Sequence, residues 1–192
     1  PKIPHPQDEN WNGISLPWMA FGYGVSLTPL QQLTFYNAVA NNGEMVKPSF
    51  IKSIGSFGEK PIYQIDREII MPSISSEQTL NYVRRMLINV VEKPWGTANS
   101  IYDETLRIAG KTGTAQVDYT SEETEYISSF IGYFPAENPI YSSIVVIHKP
   151  NKSIGYYGGS VAAPVVKNVA KKIMNNIPIE IIIDTNKISA VF

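Results

Sequence analysis

The first strong pattern along the chain is a run of apolar residues at helical spacing that begins after residue 28. Thr28 is a suitable N-cap, Pro29 fits the first helical position, and Gln31 stands where it completes a capping box. Asn41-Asn42-Gly43 ends the run, since glycine and asparagine commonly end helices. The pattern predicts a helix. Its expected buried face contains Leu30, Leu33, Val39 and the aromatic residues between them.

Two later segments carry the same period of 3.6 residues. The second predicted helix starts near Ser75 or Ser76 and stops before Pro94, and the third follows Gly158-Gly159 with Pro164 near its first turn. Both helices are expected to bury one stripe of apolar side chains. These stripes are Leu80, Val83, Met86, Leu87, Val90 and Val91 in the second helix, and Val165, Val166, Val169, Ala170, Ile173 and Met174 in the third.

Shorter runs rich in β-branched residues predict strands. Residues 46–54 and 61–65 are interpreted as the two arms of a hairpin. Further along, residues 107–117, 127–133 and 140–148 form three more β-like runs. The short turn between the last two favours antiparallel pairing. The expected fold class is therefore α+β, with an antiparallel sheet flanked by helices.

The two ends of the chain are less regular. Residues 1–24 have no sustained period, so we expect an irregular segment whose large aromatic side chains dock on a core. These side chains are Trp11, Trp18, Phe21 and Tyr23. Residues 179–192 are a tail of uncertain structure, for which an added strand and a simple chain end both remain open.

Composition narrows the function classes. Of the 192 residues, 43% are apolar and 17% charged, and the net charge is -1, so no long-range field favours nucleic acid or an anionic membrane. The absence of cysteine excludes disulfides, thiolate zinc sites and a cysteine nucleophile. No window reaches the roughly 18 apolar residues of a membrane span. We therefore expect any membrane anchor to lie outside this chain.

One tetrapeptide, Lys111-Thr112-Gly113-Thr114, carries candidate chemistry. A strand interior normally avoids glycine, so Gly113 indicates a close approach to the backbone. Lys111 and the two threonines supply a cation and hydroxyl donors beside that position, and these groups bind carboxylates. An edge strand also pairs readily with a peptide-like substrate.

The tetrapeptide has two simpler explanations. A Lys-Thr-Gly tripeptide arises by chance in about a few per cent of chains of this length, given average residue frequencies. A phosphate-binding loop also ends in Gly-Lys-Thr, but that loop needs a glycine five positions before Gly110. Position 105 is threonine, which rejects the phosphate loop.

Five ordered segments, covering roughly residues 15–176, together resemble the class B penicillin-binding proteins, the peptidoglycan D,D-transpeptidases of cell division and elongation. The segments are residues 21–31, the pair of Asn41-Asn42-Gly43 and Lys47-Pro48, residues 109–116, residues 129–136 and residues 157–165. The resemblance implies that residues 1–178 are the C-terminal portion of a transpeptidase domain with the penicillin-binding protein and serine β-lactamase-like fold.

The resemblance also implies roles. Lys111 would support catalysis by an acyl-forming serine, and Thr112, Gly113 and Thr114 would bind the carboxylate end of a D-Ala-D-Ala stem peptide or a β-lactam. The backbone N–H of Thr114 would be one oxyanion donor. No cofactor or metal is implied. The parent would be periplasmic, on the extracytoplasmic face of the inner membrane, with other cell-wall synthesis proteins as partners.

The family's Ser-x-x-Lys and Ser-x-Asn motifs are expected before residue 15, where neither is found. Ser49-Phe50-Ile51-Lys52 matches the first motif by letters only, because it follows the long helix and lies in a predicted hairpin arm. The required serine and lysine lie one helical turn apart. We therefore expect this chain alone to be inactive. Two alternatives stay open: a catalytically silent scaffold module, and a β-lactam-sensing or β-lactam-hydrolysing relative.

Other polar residues are weaker candidates. His5 and His148 have no partners at metal-ligand spacing, so no metal site is expected. Ser128 and Ser129 are interpreted as structural residues beside the motif. Several carboxylates are interpreted as parts of solvated loops and not as an acid/base pair. They are Asp103, Glu104, Glu122, Glu123 and Glu125.

Overall fold

A computed structural model describes residues 3–56, 58, 60, 62–117 and 124–176. Five helices are present in this part of the chain: α1 (Ser15–Ala20), α2 (Pro29–Ala40), α3 (Glu77–Glu92), α4 (Gly158–Val161) and α5 (Ala163–Asn176). A 3₁₀ turn occupies Asn99–Ile101. The strands are β1 (Met45–Val46), β2 (Ser53–Ile54), β3 (Tyr63–Gln64), β4 (Ile69–Met71), β5 (Ala109–Val117), β6 (Glu125–Phe134) and β7 (Tyr141–His148).

The main sheet consists of β5, β6 and β7 in that order, and both pairs are antiparallel. Gly113 lies opposite Ser129 on β6, and Ser129 lies opposite Val146 on β7. All three predicted strands are present and pair as expected. The prediction of an α+β fold with an antiparallel sheet is therefore confirmed.

Helices cover both faces of this sheet. Successive side chains of β6 point to opposite sides, so this strand contributes apolar side chains to a core on each face. Phe130 and Phe134 are fully buried in a cluster with Val166 and Ala170 of α5. Tyr133, on the other face, is fully buried with residues of α2 and α3. Burial raises the pKa of Tyr133 to about 12, and its hydroxyl has no hydrogen-bond partner among the described residues.

The predicted caps are present where the sequence places them. The Thr28 hydroxyl accepts a hydrogen bond from the Gln31 N–H at 3.2 Å, and the Gln31 side chain accepts one from the Thr28 N–H at 2.9 Å. The Ser76 hydroxyl caps α3 by accepting a hydrogen bond from the Thr79 N–H at 3.2 Å. The two predicted helix starts are thus confirmed to within one residue.

The predicted hairpin is confirmed next to its turn, where its two arms pair antiparallel, but not at the start of its first arm. Only β2 and β3 pair as its arms, whereas Val46 lies opposite Ile69 of β4, a strand that was not predicted. These strands are two or three residues long, so their own residues carry too little pattern to select a partner. A longer-range contact assists the observed pairing, since Lys47 forms an ion pair with Glu68 at 2.8 Å.

The predicted buried faces are too wide in all three helices. Leu30 is 39% exposed, Met86 64%, and both Val165 and Val169 41%. A hydrophobic period locates the centre of a buried stripe, but the neighbouring elements decide how far it is covered. The N-terminal segment is also less irregular than expected, because it contains α1, and Trp18 and Phe21 remain 49% and 81% exposed.

No helix in the described ranges is long and apolar enough to cross a membrane. The tail at residues 179–192 and the carboxylates Glu122 and Glu123 lie outside the described residues.

Candidate functional site

Strand β5 presents the tetrapeptide at an edge of the sheet, since its only strand partner in the described part of the chain is β6. Lys111 is exposed, and its Nζ donates to the carbonyl oxygen of Thr112 at 2.8 Å and contacts the Thr112 hydroxyl at 3.4 Å. No carboxylate among the described residues forms an ion pair with Lys111.

An open groove of about 840 Å³ runs along this edge. Lys111, Thr112 and Thr114 form one side of it. The other side comes from two segments distant in sequence, the loop after α3 and the start of α4. Their contributions include Thr97, Ser100, Tyr157 and Ser160.

Gly113 is closely approached, as its place in a strand predicts, but by groups of this chain. A Cβ atom on Gly113 would lie 2.4 Å from the Ser129 hydroxyl. On the neighbouring α4, a Cβ on Gly158 would lie 2.5 Å from the Gly113 carbonyl oxygen. The missing side chains thus let the sheet and the start of α4 pack directly against each other.

The hydroxyl of Thr114 is oriented by the start of α4. The backbone N–H of Gly158, the first residue of that helix, donates to Thr114 Oγ1 at 3.1 Å. A first-turn N–H has no partner within its own helix, so this bond satisfies it. Because Thr114 Oγ1 accepts here, its own proton remains available for a second acceptor.

The hydroxyl of Thr112 is held by a residue that sequence reasoning missed. Thr97 Oγ1 lies 2.8 Å from Thr112 Oγ1, in hydrogen-bond contact. Thr97 belongs to the loop after α3, 15 positions away in the chain. Nothing local to Thr97 signals this contact, since threonine is common in loops of every kind.

Three tyrosines form an aromatic stack that reaches the groove through Tyr157. The rings of Tyr126 and Tyr156 stack at 4.3 Å, and those of Tyr156 and Tyr157 lie 4.4 Å apart. The Tyr156 hydroxyl donates to the Tyr157 hydroxyl at 3.0 Å, and this hydrogen bond is the main reason that the pKa of Tyr156 is raised. Ser128, interpreted as structural, is fully buried and donates to the carbonyl oxygen of Tyr156.

The rejected nucleophile is also placed unfavourably. Ser49 lies outside any helix or strand, and its hydroxyl donates to the carbonyl oxygen of Ile51 at 2.8 Å. His148 is the last residue of β7, as expected of a strand residue near a turn. Among the described residues no group of histidine and carboxylate side chains could hold a metal ion.

Asp103 is not a solvated loop residue, contrary to the sequence-based interpretation. Its carboxylate is 16% exposed and lies 3.4 Å from Lys167 and 3.3 Å from Lys171 on α5. A hydrogen bond from the Thr105 hydroxyl is the main cause that lowers the pKa of Asp103, and the two lysines lower it further against the opposing effect of partial burial. This carboxylate fixes α5 to the loop before β5.

A second groove lies at the N-terminal segment, lined by Trp11, Ile14, Trp18 and Met19 among others. No lysine or arginine among the described residues lines it. The groove along β5 is therefore the better candidate for an anionic ligand.

Comparisons with known proteins identify the family. The family model described as the penicillin binding protein transpeptidase domain matches residues 5–174. Stage V sporulation protein D of Bacillus subtilis is 36% identical over 154 residues, covering 79% of this chain and 23% of that protein. The peptidoglycan D,D-transpeptidase FtsI of Buchnera aphidicola is 31% identical over 168 residues, covering 86% of this chain and 28% of that protein.

Solved structures agree. Penicillin-binding protein 3 of Mycobacterium tuberculosis, in its apo form, superimposes with a TM-score of 0.70 at 31% identity, covering 88% of this chain and 40% of that one. The chain belongs to the penicillin-binding protein transpeptidase family and to its class B members. It spans about a quarter of the length of the curated relatives it matches.

Proposed function

We propose that this chain is the Lys-Thr-Gly wall of the active site in a peptidoglycan D,D-transpeptidase. The observation that carries the proposal is the arrangement of Lys111, Thr112 and Thr114 on an exposed edge strand beside an open groove. The names of relatives such as FtsI of Buchnera aphidicola support it. Residues 1–178 form the C-terminal portion of the transpeptidase domain, in a protein whose nucleophile precedes this chain and whose anchor lies outside it.

The substrate end of the groove recognises a carboxylate. Lys111 supplies the positive charge, and the Thr112 and Thr114 hydroxyls donate to the two carboxylate oxygens of a D-Ala-D-Ala stem peptide. Charge-assisted hydrogen bonds of this kind are stronger than neutral ones. A β-lactam carries an anionic group in the equivalent place, a carboxylate in ampicillin and a sulfonate in aztreonam, and structures of the Mycobacterium tuberculosis relative complexed with these two compounds support the same use of the groove here.

The reaction is acyl transfer through a serine ester. The serine oxygen bonds to the carbonyl carbon of the penultimate D-Ala, the peptide C–N bond breaks, and terminal D-Ala leaves with the proton from serine. An amine of a second stem peptide then displaces serine and forms the crosslink. Lys111 stabilises the negative charge that develops during acyl transfer and supports the network of groups that moves the serine proton.

An oxyanion forms in both steps and needs preorganised N–H donors. The backbone N–H of Thr114 is one of them, because an edge strand directs alternate N–H groups away from its sheet. Gly113 supports this use, since the packing of Ser129 and Gly158 around it holds the strand in place. Removing one oxyanion donor typically costs about 10² to 10³ in rate.

The cellular setting follows from this chemistry. Crosslinking takes place outside the cytoplasmic membrane, so the protein acts on its extracytoplasmic face and is held there by an anchor outside this chain. Other cell-wall synthesis proteins are its partners.

Covalent labelling of the full-length protein with a fluorescent penicillin tests the proposal. We expect one label, located by peptide mass spectrometry on a serine that precedes residue 15. Lys111→Met and Thr114→Val should each slow labelling at least about tenfold, the loss of one charge-assisted contact. Thr34→Val on α2 should leave labelling unchanged, because the hydroxyl that it removes donates to the Leu30 carbonyl of its own helix at 2.8 Å.

The other outcomes are distinct. A full-length protein that takes no label overturns the proposal in favour of a silent scaffold module. Label that forms and is then rapidly hydrolysed favours a β-lactam-hydrolysing relative. Label on Ser49 would show that the nucleophile lies within this chain.

A further inference from the structure

The contact between Thr97 and Thr112 joins two hydroxyls at the carboxylate-binding wall. Their oxygens are 2.8 Å apart, and Thr112 Oγ1 is also 3.4 Å from Lys111 Nζ. The Thr112 hydroxyl thus has three potential hydrogen-bond partners: the Lys111 ammonium group, the Thr97 hydroxyl and a ligand in the groove. A hydroxyl has only one proton to donate, so its partners decide where that proton points.

The backbone around Thr97 is held rigidly without help from the Thr97 side chain. The N–H of Ala98 donates to the Val90 carbonyl at 3.0 Å, and the N–H of Gly96 donates to the Lys93 carbonyl at 2.8 Å. On the other side, a Cβ on Gly159 would lie 2.0 Å from the Thr97 carbonyl oxygen. The loop is therefore fixed between the end of α3 and the start of α4.

We propose that Thr97 is a positioning residue for carboxylate recognition, acting through Thr112. This inference rests on the proposed function. When a carboxylate occupies the groove, Thr97 donates its proton to Thr112 Oγ1, and Thr112 donates its own to the carboxylate. Hydrogen bonds in such a chain polarise and strengthen one another.

Without the Thr97 hydroxyl, Thr112 Oγ1 keeps only the longer contact with Lys111 Nζ at 3.4 Å, so the Thr112 proton is less firmly directed to the groove. The consequence is specific to ligands that carry a carboxylate. A purely structural role of Thr97 would instead affect all ligands alike, and would appear as a loss of stability.

The test compares benzylpenicillin with its methyl ester, which lacks the anionic carboxylate, as acylating agents of the full-length protein. Thr97→Val, nearly equal in volume, should slow acylation by the free acid about fivefold, the worth of one hydrogen bond. Acylation by the ester should change by less than about twofold, and thermal unfolding should be unaltered. Thr97→Ser, which keeps the hydroxyl, should restore the rate with the free acid.

The Thr112→Val background gives a second readout. If Thr97 acts through Thr112, Thr97→Val adds no further loss once Thr112 is valine. Equal slowing of acid and ester, or independent effects of the two substitutions, would overturn the role of Thr97 while leaving the proposed function intact.

Failure of the proposed function has its own signature. If the natural protein is not acylated at all, non-covalent binding of the free acid to the natural protein and to Thr97→Val still decides the role of Thr97. A protein that neither reacts with the acid nor binds it overturns both proposals.

Discussion

At the scale of single residues, the site depends on places where a side chain is missing. Gly158 is the clearest example. A Cβ there would lie 2.2 Å from the Ser129 carbonyl oxygen and 2.5 Å from that of Gly113, and both are backbone atoms of the sheet. Backbone atoms cannot rotate away as side-chain ends do, so an added methyl group must push α4 off β5.

Gly158→Ala should therefore destabilise the protein by about 2 kcal/mol, within the usual range for overpacking. It should also slow penicillin labelling, because the N–H that orients Thr114 moves with the helix. Urea unfolding and labelling rates measure the two effects. Gly13→Ala is the matched control, since apart from its chain neighbours no described residue has an atom within 4 Å of the added Cβ, and a comparable loss there would contradict the packing argument.

Single residues also show which parts of the site can be predicted from sequence and which cannot. Lys111 to Thr114 could be singled out because its four residues are contiguous and their order carries the chemistry. Thr97 and Gly158 could not, because their hydrogen bonds to Thr112 and Thr114 span 15 and 44 positions. Only the packing of α3, β5 and α4 brings those pairs together.

At the scale of elements, the end of α2 is fixed by a side chain of α3. Arg84 Nε donates to the Val39 carbonyl at 2.8 Å, and its Nη2 donates to the Ala40 carbonyl at 3.0 Å and to Asn42 Oδ1 at 2.9 Å. The last carbonyl groups of a helix lack partners within it. The guanidinium supplies partners to two of them and joins the two helices.

Arg84→Met should lower the free energy of unfolding by about 2 kcal/mol, because it leaves partly buried carbonyls unsatisfied. Methionine has nearly the helix propensity of arginine, so α3 itself is little affected. Arg85→Met, at the exposed neighbouring position, should change stability by less than about 0.5 kcal/mol. Equal losses for the two variants in urea unfolding would exclude the role of Arg84.

Elements differ in how well their own residues specify them. The caps of α2 and α3 lie within three residues of each helix start, so local sequence predicts them. Strands β5, β6 and β7 have eight to ten residues each, long enough for a pattern to emerge. The pairing of β1 with β4 depends on residues more than twenty positions apart, which no local pattern contains.

At the scale of the whole molecule, the site requires that both faces of the sheet be covered in the correct register. The α2 and α3 side is held by a cluster around Tyr133, and the α5 side by one around Phe130. Composition and the spacing of apolar residues predict that such a core exists. They do not predict which carboxylate joins α5 to the loop before β5. That carboxylate is Asp103.

The acid stability of the whole domain should therefore depend on Asp103. Its pKa is lower in the folded protein than the unfolded value of about 3.9. The charged carboxylate contributes stability above that unfolded value, and the contribution is lost as the pH falls through the folded pKa. The difference in Tm between the natural protein and Asp103→Asn should be constant near neutral pH and shrink below about pH 4.

Substitutions on α5 distinguish the effect of the ion pair between Asp103 and Lys171 from the effect of removing any positive charge. Lys171→Met removes a partner of Asp103 and should reproduce part of the pH-dependent loss, whereas Lys172→Met, at an exposed neighbouring position, should not. A difference in Tm between the natural protein and Asp103→Asn that persists unchanged to pH 3 would contradict the argument. In that case the asparagine would be destabilising for its packing, and α5 would be held to the loop by contacts other than the ion pairs of Asp103.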